Sequence, residues 1–443
     1  MRQPFFPLYL CLFYLASCTD SPAPASAPEK ADGPLPNILL IVADDLGWAD
    51  LNCYGNPLVK SPHLDDLARD GVQFMQAYAA APKGQPSRTA LQTGLHPVRT
   101  GHSEPGTNAE TLGELAKLAG LKTAHIGKWQ LGEGAKAPDQ QGYDHVFAVS
   151  EEHPDSYYHP YFIKSPMADL LVESQEGDYL TDKLTDHAVD VLEKWRDSTW
   201  LMSLSYYAPH VPLEGRKDQV RAYRQLVDTT HWRKFPTLEY AAMISVIDEN
   251  IGRIIAALKA TGQLDRTLII FTSDNGGLHY QPDDPALAKY TPPTDNGILR
   301  AGKGTLYEGG IRVPLIVYYP TYATSTYASL AQVISTDVFP SVGEVLRQGD
   351  YAKSPDGRSF LPLLTGEELK QRTLFWENPY GGPEGPASAV RRGDYKLYIN
   401  TANDSVTYFN VGALPDESLR MATPPEGDLM NAWKKWGEVV GSQ

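Results

Sequence analysis

Two short apolar runs, each ending in acid, constrain the fold of this chain most. Asn37-Ile38-Leu39-Leu40-Ile41-Val42-Ala43 leads into Asp44-Asp45, and residues 267–272 lead into Ser273-Asp274-Asn275-Gly276-Gly277. A run this short without polar alternation reads as a strand buried on both faces, which requires helices above and below it. Residues 122–127 and 201–207 read the same way. Helical spacing fills the intervals at 108–119, at 179–196 (Leu180, Leu184, Ala188, Val191, Leu192) and at 238–258. The alternation predicts an α/β fold, a central, mostly parallel sheet flanked by helices. In such sheets ligands gather beyond the C-terminal ends of the strands. The polar residues after each run are therefore expected to converge.

After residue 340 the pattern changes to short strands (388–391, 395–399) and an amphipathic helix at 429–440 containing Trp433 and Trp436. The expected organisation is a main domain over 36–345 and a smaller α+β subdomain over 346–443.

The first residues read as an export signal over 1–17, a basic start followed by a mostly apolar stretch to Leu15. Leu15-Ala16-Ser17-Cys18 fits a bacterial lipobox, with cleavage before Cys18 and lipid on its thiol. The alternative is an ordinary signal peptide with an unrelated cysteine. Residues 18–35, rich in Pro, Ala and Ser, read as a tether. The expected location is the outer face of a bacterial membrane, in the periplasm or at the cell surface, held there by the lipid anchor. Cys53 is then the remaining thiol, expected to be inert, and no internal disulfide is expected. The net charge of -15 argues against a nucleic-acid partner. It leaves room for an anionic ligand, because a local cationic pocket can focus potential inside an acidic protein.

The segment Ala81-Pro82-Lys83-Gly84-Gln85-Pro86-Ser87-Arg88-Thr89-Ala90-Leu91-Gln92-Thr93-Gly94 resembles the signature of the formylglycine-dependent sulfatases of the alkaline phosphatase superfamily. That signature reads Cys or Ser, any residue, Pro-Ser-Arg, then Leu and Thr-Gly. Further motifs follow in order: 62–68, Gly127-Lys128-Trp129-Gln130-Leu131-Gly132, Ala208-Pro209-His210-Val211-Pro212, Thr272 to Gly277, and 303–314. The resemblance spans about Pro36 to Val411 and implies the sulfatase fold.

It also implies site residues. The family holds calcium on acidic residues that match Asp44, Asp45, Asp274 and Asn275, a set of hard oxygens suited to that ion. Lys128, His210 and Lys303 match the residues that grip the sulfate and help the leaving group depart, and Arg88 matches the one that holds the formylglycine region. The nucleophile position is Gly84, and glycine has nothing to oxidise, so no formylglycine can form. Gln130 replaces the histidine that serves the formylglycine hydrate, and an amide cannot take its proton near neutral pH.

Three functions stay open. The first is a repurposed hydrolase cleaving a glycosidic bond in sulfated or anionic polysaccharide, with carboxyl groups drawn from Asp44, Asp45 and Asp274 if calcium is absent, and with His210 or Glu308 also open as acid. The second is a noncatalytic binder of sulfated glycan, a pseudosulfatase. The third is sulfate ester hydrolysis by a calcium-activated water. The cluster His153, Tyr157, Tyr158, His159, Tyr161 and Phe162 reads either as a sugar-stacking surface or as a packed loop. His279 is a candidate substrate-binding residue, and Tyr280 and Trp376-Glu377-Asn378 are candidates to reach the site.

Overall fold

Every apolar run becomes a strand of one large sheet. The computed structural model describes residues 33–102, 109–161, 174–226, 236–281, 292–349, 356–422 and 428–440. Cys18, the leader and most of the tether lie outside the described residues, as does Phe162. The strands of this sheet are β1 (Asn37–Ala43), β2 (Val72–Tyr78), β3 (Lys122–Gly127), β4 (His145–Phe147), β5 (Trp200–Ser205), β6 (Thr267–Ser273), β7 (Leu315–Tyr318) and β8 (Tyr327–Ile334). Their order is β4-β3-β5-β1-β6-β7-β2-β8. All pairings are parallel except those of β7, which runs against β6 and β2.

The helices are α1 (Pro62–Asp70), α2 (Gly84–Thr93), α3 (Leu112–Leu118), α4 (Leu180–Lys194), α5 (Lys217–Leu226), α6 (Leu238–Ala260), α7 (Glu308–Ile311), α8 (Val338–Val345), α9 (Leu361–Leu364) and α10 (Leu429–Val440). Successive side chains of a strand point to opposite faces, and β1 sorts the core accordingly. Leu39, Ile41 and Ala43 pack with Leu184 and Val191 of α4 and Ile244, Ile247 and Ile251 of α6. Ile38, Leu40 and Val42 pack with Leu112 and Leu115 of α3 and Val338, Phe339 and Val342 of α8. The expected helix at 108–119 begins at Leu112, because Thr111 and Glu114 form a reciprocal capping box there.

Four further strands, β9 (Thr373–Asn378), β10 (Ala387–Arg392), β11 (Tyr395–Asn400) and β12 (Ser405–Asn410), form an antiparallel sheet in the order β12-β11-β10-β9. One face packs Val390, Leu397 and Ile399 with Leu429 of α10. The other packs Trp376, Ala389 and Tyr398 with Tyr78 at the end of β2. Trp376 Nε1 donates to Ala79 O at 2.8 Å. From Leu35 onward the described chain forms one compact unit. No helix among the described residues is long and apolar enough to cross a membrane.

Candidate active-site cleft

The C-terminal ends of the parallel strands deliver the site. β1 sits at the centre, between β5 and β6, and Ala43 pairs in register with Ser273. That register sets Asp44-Asp45 beside Asp274-Asn275. Asp45 has a left-handed backbone (φ 65°), and its N–H donates to Asp274 Oδ1 at 3.1 Å. Lys128 follows β3, His210 lies beyond β5, and Gly84 opens α2 beyond β2. They meet in a cleft of about 600 Å³ lined by Asp44, Gly84, Lys128, Gln130, His210 and Lys303 among others.

Each aspartate here is answered by a cation. Lys128 Nζ lies 2.5 Å from Asp44 Oδ2, and Lys303 Nζ lies 2.7 Å from Asp45. Arg88 Nε donates to Asp274 Oδ2 at 2.9 Å. Burial pushes the Asp44 carboxyl up, but Lys128, His210 and Arg88 outweigh it, so the group stays below the usual aspartate range. For Asp45 burial is likewise outweighed, by Lys303 and His210. Burial of the Lys303 ammonium is outweighed by Asp45 and Asp44, which hold its proton more firmly. Burial brings His210 down to about 4 against the pull of Asp45. Its Nδ1 faces Val211 O at 2.7 Å, which assigns the proton there and leaves Nε2 bare, 3.5 Å from Asp45 Oδ2. Burial thus favours a neutral imidazole with Nε2 towards the site, and the proton-donor role expected of it needs the charged form, which Asp45 and Asp44 favour.

Gly84, the position expected to hold the nucleophile, carries its own geometry. A Cβ built on Gly84 would lie 2.8 Å from Asp274 Oδ2 and 2.8 Å from Gln130 Oε1. Real Cβ atoms essentially never approach so closely. Gln130 itself has a left-handed backbone (φ 62°), and its Oε1 is buried with no hydrogen-bond partner among the described residues. An amide and a carboxylate therefore crowd the space next to the α-carbon.

The donor set suits a hard cation. Asp44, Asp45 and His210 each present a ligand atom within 4.8 Å of the others. Asp44 Oδ1 and Asn275 Oδ1 are buried without hydrogen-bond partners among the described residues, and the cation beside Asp44 Oδ1, Arg88 Nη2, is 3.9 Å away. Unmet buried oxygens are costly unless something supplies positive charge. Asn275 Nδ2 donates to Asp45 Oδ1 at 2.8 Å and aligns the two side chains. Oxygen donors of this kind fit calcium or a similar hard ion.

Other expectations fall out differently. Glu308 is fully buried away from the cleft. It takes bonds from Tyr78 Oη at 2.9 Å, Arg312 Nε at 2.9 Å, Arg391 at 3.0 Å and Lys396 Nζ at 3.0 Å. Burial raises its pKa, but Lys396 and Arg312 outweigh that and hold it low. It is a structural anion and no proton donor, which removes it as the expected acid. His279 is not among the cleft-lining residues, whereas Tyr280, Glu377 and Asn378 are. Of the aromatic cluster, Tyr157 and Tyr161 are buried and pack the loop. His153 stacks on His210, with ring centroids 5.3 Å apart, and lines the cleft. Burial and Asp65 raise the Cys53 thiol well above its usual range, so it stays protonated.

Sequence reasoning passed over Lys83, His102, Glu151, Glu152 and Tyr380, which also line the cleft. Lys83 was legible as the neighbour of Gly84. The others reach the cleft through tertiary packing and carry no local signal. Burial raises the Glu377 carboxyl above the usual range, and His102 Nε2 lies 3.9 Å from it.

Comparison with known proteins places this geometry among relatives. The sulfatase family model matches residues 36–347. Human arylsulfatase A is 30% identical over 416 residues, covering 88% of this chain and 80% of that protein. A sulfatase of Formosa agariphila is 29% identical over 491 residues, covering 88% of this chain and 85% of the other. The crystal structure of Ps i-CgsB in complex with k-i-k-neocarrahexaose superposes with a TM-score of 0.77 at 25% identity, covering 91% of this chain and 93% of that one.

Proposed function

The chain belongs to the sulfatase family, and from that premise we propose that its cleft binds sulfated polysaccharide and holds the sulfate for recognition, while the bond broken is glycosidic. The observation that carries this reading is the crowding at Gly84. The cations that suit a sulfate are retained, but the nucleophile is absent and its room is taken by Asp274 Oδ2 and Gln130 Oε1. The saccharide bound by Ps i-CgsB supports a carbohydrate ligand for this fold.

Glycoside hydrolysis needs one protonated carboxyl group and one ionised partner. Glu377 is the cleft carboxyl whose proton affinity burial raises, which suits it to the acid role. Glu151, whose Oε2 accepts the Gly132 N–H at 3.0 Å, is the second. In this reading Glu377 protonates the glycosidic oxygen as the C–O bond breaks, and water adds to the anomeric carbon with Glu151 receiving its proton. Lys128, Lys303 and Arg88 fix the anionic substituent or the residues around it. Asp44, Asp45, Asp274 and Asn275 are assigned to calcium, which when bound supplies positive charge beside the sulfate. The Leu15-Ala16-Ser17-Cys18 sequence supports attachment at the outer face of a bacterial membrane through lipid on Cys18.

A noncatalytic binder is the second reading, favoured by the pairing of Asp44, Asp45 and Asp274 with cations. Mass spectrometry after incubation with sulfated oligosaccharides separates the two. Shorter chains with sulfate intact, lost in Glu377→Gln, support the glycosidase. Retention of a glycan with no product supports the binder. Free sulfate from uncut chains contradicts both.

A further inference from the structure

Among the described residues, Lys83 is the cleft lysine that no carboxylate answers. Lys128 is paired with Asp44 and Lys303 with Asp45. Lys83 lines the same cleft, and its ammonium has no ion pair or hydrogen bond among the described residues.

Its place is fixed by the backbone. Gly304 N–H donates to Pro82 O at 2.8 Å, so the residues next to that bond, Lys83 and Lys303, are brought to the same wall. Asn378 Nδ2 holds Gly304 O at 2.9 Å from the other side. Ser87 Oγ is bonded to both the N–H and the O of Ala81, at 3.1 and 2.8 Å. The extended backbone of Lys83 (φ −139°, ψ 150°) then hands the chain to α2. Two ammonium groups are thereby set near each other on a rigid support. Burial, and then the charge of Lys303, make the Lys83 cation harder to hold. An arriving anion relieves both.

We propose that Lys83 is a second anion subsite of the cleft, taking a sulfate or carboxylate on the sugar next to the one gripped by Lys128 and Lys303. The proposal rests on the reading of the cleft as a sulfated-glycan site and deepens it. The substrate becomes a polymer with anionic groups on adjoining residues. A lysine serves both substituents, since a compact ammonium accepts either geometry where a guanidinium fork would favour a planar one.

Isothermal titration with three disaccharides tests it, one bearing a single sulfate, one a sulfate on each sugar, and one a sulfate and an adjoining carboxylate. The expected result is that the full chain binds a doubly charged disaccharide at least about tenfold more tightly than the singly sulfated one. Whichever doubly charged sugar shows the preference identifies the second anion. Lys83→Gln collapses that ratio to about one, and Lys83→Arg retains most of it, with melting temperatures showing that both variants are folded. A ratio unchanged in Lys83→Gln overturns the subsite alone. No preference in the wild-type chain, with singly sulfated binding intact, does the same. Failure of the wild-type chain to bind any of the three overturns the functional reading and the subsite with it.

Discussion

A side chain at Gly84 would begin 2.8 Å from Asp274 Oδ2, the same oxygen that Arg88 Nε holds at 2.9 Å. The carboxylate cannot swing away cheaply, because its other oxygen accepts the Asp45 N–H at 3.1 Å. The bare α-carbon at Gly84 and the crowding beside it are therefore one structural fact.

Restoring a nucleophile should accordingly fail on its own. Gly84→Ser is expected to lower stability by about 1–3 kcal/mol, the usual cost of overpacking, and to release no sulfate from any ester. Adding Gln130→Ala removes one of the two oxygens that are struck and should recover part of the loss. Urea unfolding of the single and double variants checks this. A Gly84→Ser protein as stable as the parent would contradict the packing argument.

The buried anion Glu308 ties the two sheets together. Its partners come from β2, from the residue that follows α7, and from β10 and β11. Lys396 also reaches Glu417 at 2.8 Å. Glu308→Gln leaves buried cations short of charge, and breaking such a pair costs about 3–5 kcal/mol. The unfolding midpoint should drop accordingly, whereas glycan affinity measured well below that midpoint should hold, since Glu308 is outside the cleft. Affinity falling with stability intact would place Glu308 in the site after all.

Acid should loosen the fold before the ion pairs are protonated. Burial, with Arg88 adding to it, brings His125 from an ordinary 6.5 to about 3. His96 is brought to about 4, again by burial first. A depressed histidine means that the unfolded chain takes a proton the fold refuses. Its contribution is full above about pH 6.5 and is lost as pH falls towards 4, at about 1.4 kcal/mol for each tenfold difference in proton affinity. The melting temperature should decline over that window, and His125→Phe should flatten the decline. A level profile from pH 7 to 4 would refute the assignment.

Calcium should stabilise the chain through Asp44 and Asn275, whose Oδ1 atoms are buried without hydrogen-bond partners among the described residues. At a hundredfold excess over its dissociation constant, an ion that binds only the folded state adds about 2.7 kcal/mol. The melting temperature should rise with calcium, fall with chelator, and become indifferent to both in Asn275→Ala. An equal rise in that variant would assign the ion elsewhere.

What was legible in the sequence follows from what is local. Continuous apolar runs announced β1, β3, β5 and β6, because a strand buried on both faces needs no polar residues. The polar residues after them could then be placed at one end of the sheet by topology alone. The antiparallel β7 was not legible, because four residues carry no direction. Glu308 looked like a cleft acid because its motif neighbours reach the cleft. Its burial depends on Arg391 and Lys396, more than eighty residues further along. Glu377 could be placed near the site but not given a role, since its raised proton affinity comes from packing between distant segments.

The central claim is that sulfate is recognised and the glycosidic bond is cut, and a reaction in oxygen-18 water tests it most directly. A sulfated oligosaccharide is incubated with the full chain, and the products are weighed by mass spectrometry. The account predicts shortened chains that keep every sulfate and carry the heavy oxygen at the new reducing end, with turnover reduced about 10²–10⁴-fold in Glu377→Gln. Heavy oxygen in free sulfate, with the chain length unchanged, would contradict it.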